Sequence, residues 1–232
     1  MRSFVVTLVV IGGLVAATAA SAQNTPAATD IYHVHFTKSA PAQAAAHAKS
    51  LMTPDKTSPM PEHFVVLRHQ EGDDWDYVVI QHVGSKAEIA ASRPTPPDAE
   101  RALSAWHNDT FVVGPSWGEF TKQMGLGAGN ASSQVYVVGV HRPVAGHREQ
   151  LLKSLNAPGP ASKIETGTVF LQHVEGSDWV FATITRYNSW QDFANDRVAA
   201  SSSPDAPGGW ADIRQHSAFH RDTIATRIYP AK

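Results

Sequence analysis

Two histidines that are one residue apart lie in the first β-rich segment of the chain. His33 and His35 flank Val34 within residues 31–37, where alternating residue types predict a strand. Side chains at positions i and i+2 of a strand share a face, so both imidazoles can reach one metal ion or one substrate. No carboxylate stands beside them in the sequence, so ordinary polar lining of a sheet remains an alternative to metal binding or acid–base chemistry.

Four further histidines occur as two pairs at matching places along the chain. His69 and His173 each stand two residues before a Glu-Gly pair, whereas His107 and His220 each stand two residues before an Asp-Thr pair. Short polar side chains after a helix can hydrogen-bond to the backbone, so we interpret His107 and His220 as marking a helix end or turn. We expect a structural role for all four.

Composition excludes several classes of chemistry. The chain has 232 residues and no cysteine, which excludes disulfides, cysteine-ligated zinc, iron–sulfur clusters and thiol nucleophiles. Its net charge of −2 gives no electrostatic reason to expect nucleic acid as a partner. No GxSxG, HExxH, phosphate-binding or dinucleotide-binding motif occurs.

The first 22 residues have the features of a secretory signal. Arg2 precedes an apolar run over residues 4–15, and Ala20-Ser21-Ala22 matches the small-x-small cleavage pattern. We predict cleavage and export to the periplasm or the exterior, with no membrane attachment afterwards. Retention as an anchor is the alternative, although the run is short for a span of about 20 residues. Residues 23–30 are expected to form a flexible leader.

Self-similarity organises the rest of the chain. A shift of 104 residues places 67–75 on 171–179, and a shift of 113 residues places 107–110 on 220–223. The pattern predicts a tandem duplication. Its boundaries are a first half at 31–124, a small-residue linker at 125–133 and a second half at 134–230.

Each half is predicted to have the element order β-α-β-β-α-β, which is the ferredoxin-like arrangement. The predicted elements of the first half are the strand 31–37, the helix 41–52, hairpin strands 63–69 and 75–83, helical segments 85–92 and 98–108 broken at 94–97, and a last strand 117–123. Their expected partners in the second half include the helix 145–156 and the strand 224–229. The predicted fold class is α+β, with two tandem ferredoxin-like halves forming an intramolecular pseudo-dimeric α/β barrel.

This element order and duplication resemble the dimeric α/β-barrel superfamily, which includes antibiotic-biosynthesis monooxygenases, haem-degrading monooxygenases and chlorite dismutases. The resemblance implies that a monomer can form the barrel, since one chain supplies both halves. It also implies an enzyme as one alternative, either a cofactor-independent monooxygenase or a haem-linked oxidoreductase. His33 or His35 would then be a general base or an iron ligand, and Arg68 would stabilise an oxyanion. We expect no cofactor, with haem or a divalent metal as the alternatives.

Strand alternation assigns residues to faces. Tyr32, Val34 and Phe36 form an apolar set that we assign to the helices, so the opposite set should line a cavity between the two sheets. The predicted cavity-lining residues are His33, His35, Arg68, Tyr77, Gln81, Gln172, Phe181 and Thr183. The leading prediction is an exported small-molecule-binding barrel, and the alternatives are the enzyme above or a structural or partner-binding protein with a filled core.

Overall fold

Alternating apolar residues build eight strands in a computed structural model that describes residues 30–85, 87, 98–127, 133–157, 164–175 and 177–231. β-branched and aromatic residues are frequent in these strands, as expected for pleated and half-buried surfaces. The strands are β1 (Asp30–Ser39), β2 (Phe64–Glu71), β3 (Tyr77–Gly84), β4 (Ser104–Gly114), β5 (Val135–Pro143), β6 (Gly167–Glu175), β7 (Phe181–Tyr187) and β8 (Ser217–Tyr229).

Six helices accompany these strands within the described residues: α1 (Ala44–Leu51), α2 (Asp98–Arg101), α3 (Trp117–Gln123), α4 (Arg148–Leu155), α5 (Trp190–Ser202) and α6 (Trp210–His216). Two of the helices have side-chain caps. Ser116 accepts a hydrogen bond from the backbone N–H of Glu119 at the start of α3, and Ser189 accepts one from Asp192 at the start of α5. The fold is therefore α+β.

The strands close into one antiparallel barrel in the order β1-β3-β2-β8-β5-β7-β6-β4. Within this ring the first four strands follow the order β4-β1-β3-β2, and the last four follow β8-β5-β7-β6. We call these sets the first and the second four-strand unit. Pairing of β2 with β8 and of β4 with β6 joins the two units, so the ring has no free sheet edge.

A single apolar cluster, with members from all eight strands, fills the barrel interior. Tyr32 and Tyr136 are 0% exposed, and Leu67 and Leu171 are 0% and 1% exposed. Eight strands enclose a space just wide enough for side chains to fill, and these side chains occupy it. The prediction that the Tyr32 face packs on the helices is therefore wrong, because that face points inward.

The opposite face of the strands points outward to the helices. Phe64, Val66 and Tyr77 form a second buried cluster, which packs against residues of α1 and its C-terminal cap. Cross-strand pairing places all eight of the predicted cavity-lining residues on this outer face. The physical reason for the charged and imidazole groups is solvation: His33, His35 and Arg68 keep contact with water on the outer face, whereas a closed interior would strip them of it.

Helix α3 is the largest departure from the predicted elements. Residues 117–123 were expected to be the last strand of the first half, but they form a helix capped by Ser116. The last strand of this unit is β4, which takes up residues 104–108 of the helix predicted at 98–108, whereas α2 forms at the start of that segment. Phe120 and Met124, both 0% exposed, pack into the interior cluster. Tyr32 Oη donates to the Pro115 carbonyl over 2.7 Å, so α3 covers one end of the barrel.

The other predicted elements agree with the structure to within a few residues, except that β8 begins at Ser217 rather than at Ile224. His107 and His220 consequently lie within strands and not at helix ends. The predicted signal, residues 23–29 of the leader, the segment 88–97 and linker residues 128–132 lie outside the described residues. Within the described part of the chain, no helix is long and apolar enough to cross a membrane.

Candidate functional site

The outer face of β1 and β4 carries three histidines around one carboxylate. His33 Nε2 and His35 Nδ1 lie 2.8 Å and 2.7 Å from Asp109 Oδ1, and His107 Nε2 lies 3.3 Å from Asp109 Oδ2. We call these four residues the β1–β4 histidine cluster. The carboxylate that is missing next to His33 and His35 in the sequence is supplied by the neighbouring strand.

Strand register positions the cluster. His35 on β1 pairs directly with Asp109 on β4, and His33 and His107 lie two residues away along their own strands. The side-chain repeat of a strand is two residues, so all four side chains project from the same outer face. The ring centre of His35 lies 5.3 Å from that of His107 and 6.3 Å from that of His33.

Asp109 is the electrostatic centre of the cluster. Partial burial by itself raises the pKa of this carboxyl, but hydrogen bonds from His33 and His35 outweigh burial and hold the pKa well below its usual range. The carboxylate is therefore ionised throughout the physiological pH range. Its side chain is 42% exposed, and those of His33 and His35 are 22% and 21% exposed, so a small molecule can reach the cluster.

The contact between His35 and Asp109 sets the chemistry. With Nδ1–H donated to the carboxylate, the lone pair of His35 is on Nε2. An imidazole oriented in this way by a carboxylate is the arrangement that general bases use, since the carboxylate fixes the tautomer and stabilises the imidazolium that forms. The cluster can therefore take a proton from a bound molecule.

The other predicted lining residues do not join this cluster. Tyr77 Oη donates to the Ala44 carbonyl of α1 over 3.0 Å, and Gln81 Nε2 donates to the Met60 carbonyl over 2.7 Å. Arg68 is exposed on β2 and pairs with Tyr77. Its role toward an oxyanion stays a prediction, as does binding by Tyr77 and Gln81.

Three predicted lining residues belong to the second unit. Phe181 is fully buried, with the Arg148 guanidinium 5.2 Å from its ring centre, and it pairs with Gln172. Thr183 lies two residues further along β7 and pairs with Gly139. A shift of 104 residues places His33 on Val137 and His35 on Gly139, both of which lie on β5. The three-histidine arrangement therefore occurs on β1 and β4 and not on β5 and β8.

The sequence contained a signal for Asp109 and His107 that was interpreted differently. The pattern His107-Asn108-Asp109 has the same one-residue spacing as His33-Val34-His35, and on a strand it places both polar groups on one face. Because a helix end was expected at this segment, the shared face of His107 and Asp109 was not predicted. The two tryptophans after the hairpin turns, Trp75 and Trp179, lie in the interior cluster.

Haem is the cofactor that one of the enzyme alternatives would require. The described residues leave no slot for a macrocycle inside the barrel, since the interior cluster is continuous from Tyr32 and Leu67 across to Tyr136 and Leu171. The ring nitrogens that His33 and His35 turn toward β4 are already bonded to Asp109. The described residues therefore leave no place for haem inside the barrel, and we derive no step through it.

No protein family matches the chain by its sequence model, and no curated protein matches it in sequence. Several solved structures share its fold. An anthrone oxidase-like protein superimposes with a TM-score of 0.62 at 12% identity, over 89% of this chain and 94% of that one. A candidate monooxygenase from Fusobacterium nucleatum subsp. nucleatum gives a TM-score of 0.50 at 10% identity, over 87% and 94% of the two chains.

A mutant form of chlorite dismutase from Candidatus Nitrospira defluvii gives a TM-score of 0.50 at 14% identity, over 86% of this chain and 91% of that one. At such low identity the likeness concerns the fold. The chain therefore has the α+β fold of the dimeric α/β-barrel proteins, with an eight-strand antiparallel barrel.

Proposed function

We propose that this protein is a cofactor-independent oxidase of the monooxygenase type, which oxidises a small phenolic or enolisable molecule at the β1–β4 histidine cluster. The observation that carries the proposal is the hydrogen bond from His35 Nδ1 to Asp109, which leaves Nε2 as the basic atom of a partly exposed imidazole. A substrate that is easily oxidised once deprotonated needs a positioned base and no organic cofactor.

The reaction converts a CH₂ group into a carbonyl. His35 Nε2 takes a proton from the substrate carbon, and the resulting carbanion, stabilised by a neighbouring aromatic ring or carbonyl, transfers electrons to O₂. One oxygen atom becomes the carbonyl oxygen of the product, and the other leaves as water with the two hydrogens that the carbon has lost. Asp109 keeps the imidazole oriented and stabilises its protonated form.

Two further lines of support come from the comparisons and from the surface of the cluster. The structure with a TM-score of 0.62 is named anthrone oxidase-like, and anthrone is a substrate of this chemical type. The aromatic ring of Phe111 lies 5.2 Å from that of His33, so an apolar surface adjoins the cluster. An aromatic substrate can stack on such a surface.

We also propose that the barrel arose by tandem duplication, so that one chain supplies both halves and works as a monomer. The strand orders β4-β1-β3-β2 and β8-β5-β7-β6 support this, as do matched buried residues such as Tyr32 with Tyr136 and Trp75 with Trp179. Sedimentation of the purified protein as a monomer is the expected result, and a stable dimer would contradict the second part of the proposal.

Export is a further part of the proposal. The apolar run after Arg2 and the Ala20-Ser21-Ala22 pattern support cleavage after residue 22. N-terminal sequencing of protein from the periplasmic or secreted fraction should begin at Gln23. Recovery of the intact N-terminus in the membrane fraction would indicate an anchor instead.

Oxygen uptake with anthrone as the probe tests the function. The full mature chain should consume O₂ faster than buffer at neutral pH, and His35→Gln should reduce that rate by roughly 10²–10⁴-fold, the usual contribution of a general base. His216→Gln, on the opposite unit, is the matched control and should keep the rate. No uptake above buffer with anthrone and with related hydroquinones would reject the oxidase.

Binding without turnover is the second candidate function. A groove of about 390 Å³ lies between α4 and α6, within the size range of small-molecule sites. Lys153, Asp212 and His216 are among its polar lining residues. Saturable quenching of tryptophan fluorescence by a small molecule, with no O₂ consumed, would favour this function over the oxidase.

A further inference from the structure

Gly139 on β5 leaves a gap in the outer face of the second four-strand unit. It pairs with Asp222 on β8 on one side and with Thr183 on β7 on the other. A Cβ atom at position 139 would lie 2.8 Å from Asp222 Oδ1, 2.8 Å from Thr183 Oγ1 and 3.0 Å from His141 Nε2. Three side-chain atoms that can bind a metal therefore border one small space, which is open because residue 139 has no side chain.

His141 offers one poorly bonded ring nitrogen to this space. The residue is 2% exposed, and its Nδ1 atom is buried where the described part of the chain supplies no partner. Its Nε2 atom has only a long contact of 3.5 Å, to Thr183 Oγ1. The poorly bonded Nε2 atom borders the gap, so it is the atom of this imidazole that can bind a ligand there.

His220 and Asp222 complete a set of three ligands. His220 Nε2 lies 2.9 Å from Asp222 Oδ1, and the His220 ring stacks on His141 with 4.5 Å between ring centres. One ligand atom from each of His141, His220 and Asp222 lies within 4.8 Å of the others. Two atoms that both bind a transition metal at about 2.0–2.2 Å are up to roughly 4.4 Å apart, so small side-chain rotations suffice.

We propose that His141, His220 and Asp222 bind a divalent first-row transition-metal ion, with Thr183 at its edge and further positions open to water or a small molecule. Two imidazoles and one carboxylate are a donor set that both Zn²⁺ and Fe²⁺ accept while keeping open positions. The site is separate from the β1–β4 histidine cluster and does not depend on the proposed oxidase function.

The equivalent place in the first unit shows why the site belongs to the second. His35 stands where a shift of 104 residues places Gly139, and its imidazole bonds to Asp109. In the first unit, Asp109 Oδ1 accepts hydrogen bonds from His33 and His35, and the side chain of His35 occupies the position that Gly139 leaves open. In the second unit the imidazole comes from His141 instead, which corresponds to Thr37.

Titration of the full mature chain, purified without a polyhistidine tag and stripped with a chelator, tests the proposal. Co²⁺ and Zn²⁺ are the probes, followed by visible absorption for Co²⁺ and by calorimetry for Zn²⁺. We expect saturable uptake of a single equivalent. His220→Gln and Asp222→Asn should each weaken binding by more than the roughly 10–100-fold that loss of an outer-shell partner costs.

Gly139→Ala is the sharpest variant, because it fills the gap and changes none of the three ligand residues themselves. It should also reduce affinity, whereas Gly118→Ala on α3, whose added methyl would meet nothing within 4 Å, should not. His141→Gln removes a buried group and can unfold the protein, so circular dichroism should be recorded for each variant. The variants His220→Gln and Asp222→Asn, whose side chains are 20% and 42% exposed, then decide the outcome.

Two results would overturn the proposal. One is the absence of saturable uptake of either ion. The other is uptake that persists in folded Gly139→Ala and His220→Gln but is lost in the double variant His33→Gln/His35→Gln, which would assign the metal to the first unit.

Discussion

His35 and Asp109 are direct cross-strand neighbours, and the imidazole Nδ1 lies 2.7 Å from the carboxylate Oδ1. If the pair acts as one unit, removing either member should cost about the same. We predict that Asp109→Asn lowers anthrone oxidation by roughly 10²–10⁴-fold, as His35→Gln does. The double variant should fall little further, because a base without its orienting partner is already inactive.

Asp178→Asn is the control for this prediction, because its side chain is 74% exposed and lies in the second unit. It should leave the rate unchanged. Losses that multiply in the double variant would show that His35 and Asp109 act separately. A ¹⁵N spectrum of the His35 ring offers a second readout, since the tautomer with the proton on Nδ1 should dominate only while Asp109 is present.

The two members of this pair illustrate how far sequence could lead. Spacing alone placed His33 and His35 on one face of a strand, and the repeat alone matched Tyr32 with Tyr136. Which face points inward was not readable, because both faces of a barrel strand can be covered, and the Tyr32 face proved to be the interior. Asp109 joins the histidines through the β1–β4 register, which pairs two strands that are distant along the chain and cannot be read from local pattern.

His141 and Gly139 mark the other limit. Neither stood out in the sequence, since a glycine within a strand and a single histidine after Val140 have many explanations. Their importance comes from the cross-strand partners Thr183 and Asp222, more than 40 residues away along the chain. Pairing at such separations follows from the global topology and not from local propensity.

Stability at mildly acidic pH should depend on His47. This residue on α1 is 4% exposed, and its Nδ1 lies 3.1 Å from Ser39 Oγ. Burial is the main cause that lowers the His47 pKa, the charge of His35 lowers it further, and Asp76 and Glu100 oppose the shift in part. Because the unfolded chain then binds the proton more tightly, stability should rise with pH up to about 6.5 and level off above.

His47→Gln should remove this contribution, which can reach about 1.4 kcal/mol per pH unit for one proton. Urea unfolding from about pH 5 to pH 8 measures it. Lys49→Gln, an exposed change on the same helix, controls for altering α1 itself. Parallel stability profiles for wild type and His47→Gln would contradict the prediction.

The filled interior makes a quantitative prediction about packing. Leu67 of the first unit and Leu171 of the second both lie in the interior cluster, and they are 0% and 1% exposed. Truncation of either to alanine should lower the free energy of unfolding by about 2–5 kcal/mol, because a closed barrel collapses poorly around a void. Val198→Ala, at a position 67% exposed, should change it by no more than about 0.5 kcal/mol. A loss below about 1 kcal/mol for both leucines would mean that the interior has space for a ligand.

Asp30 fastens the start of β1 to the helix that covers the barrel end. Its Oδ2 accepts a hydrogen bond from His82 Nε2 and another from the backbone N–H of Trp117, each over 2.9 Å. His82 is 5% exposed, and its ring stacks 5.3 Å from that of Trp117. Loss of the carboxylate would leave both donors without their acceptor in a dry environment.

Asp30→Ala should therefore lower the free energy of unfolding by about 1–3 kcal/mol and shift the tryptophan fluorescence, since Trp117 loses its anchor. Asp98→Ala, whose side chain is 91% exposed, should change neither. Equal stability of the two variants would show that α3 is held by Phe120 and Met124 alone. The predicted cleavage after residue 22 keeps Asp30 in the mature chain. Cleavage on the C-terminal side of Asp30 would instead remove its hydrogen bonds to His82 and Trp117.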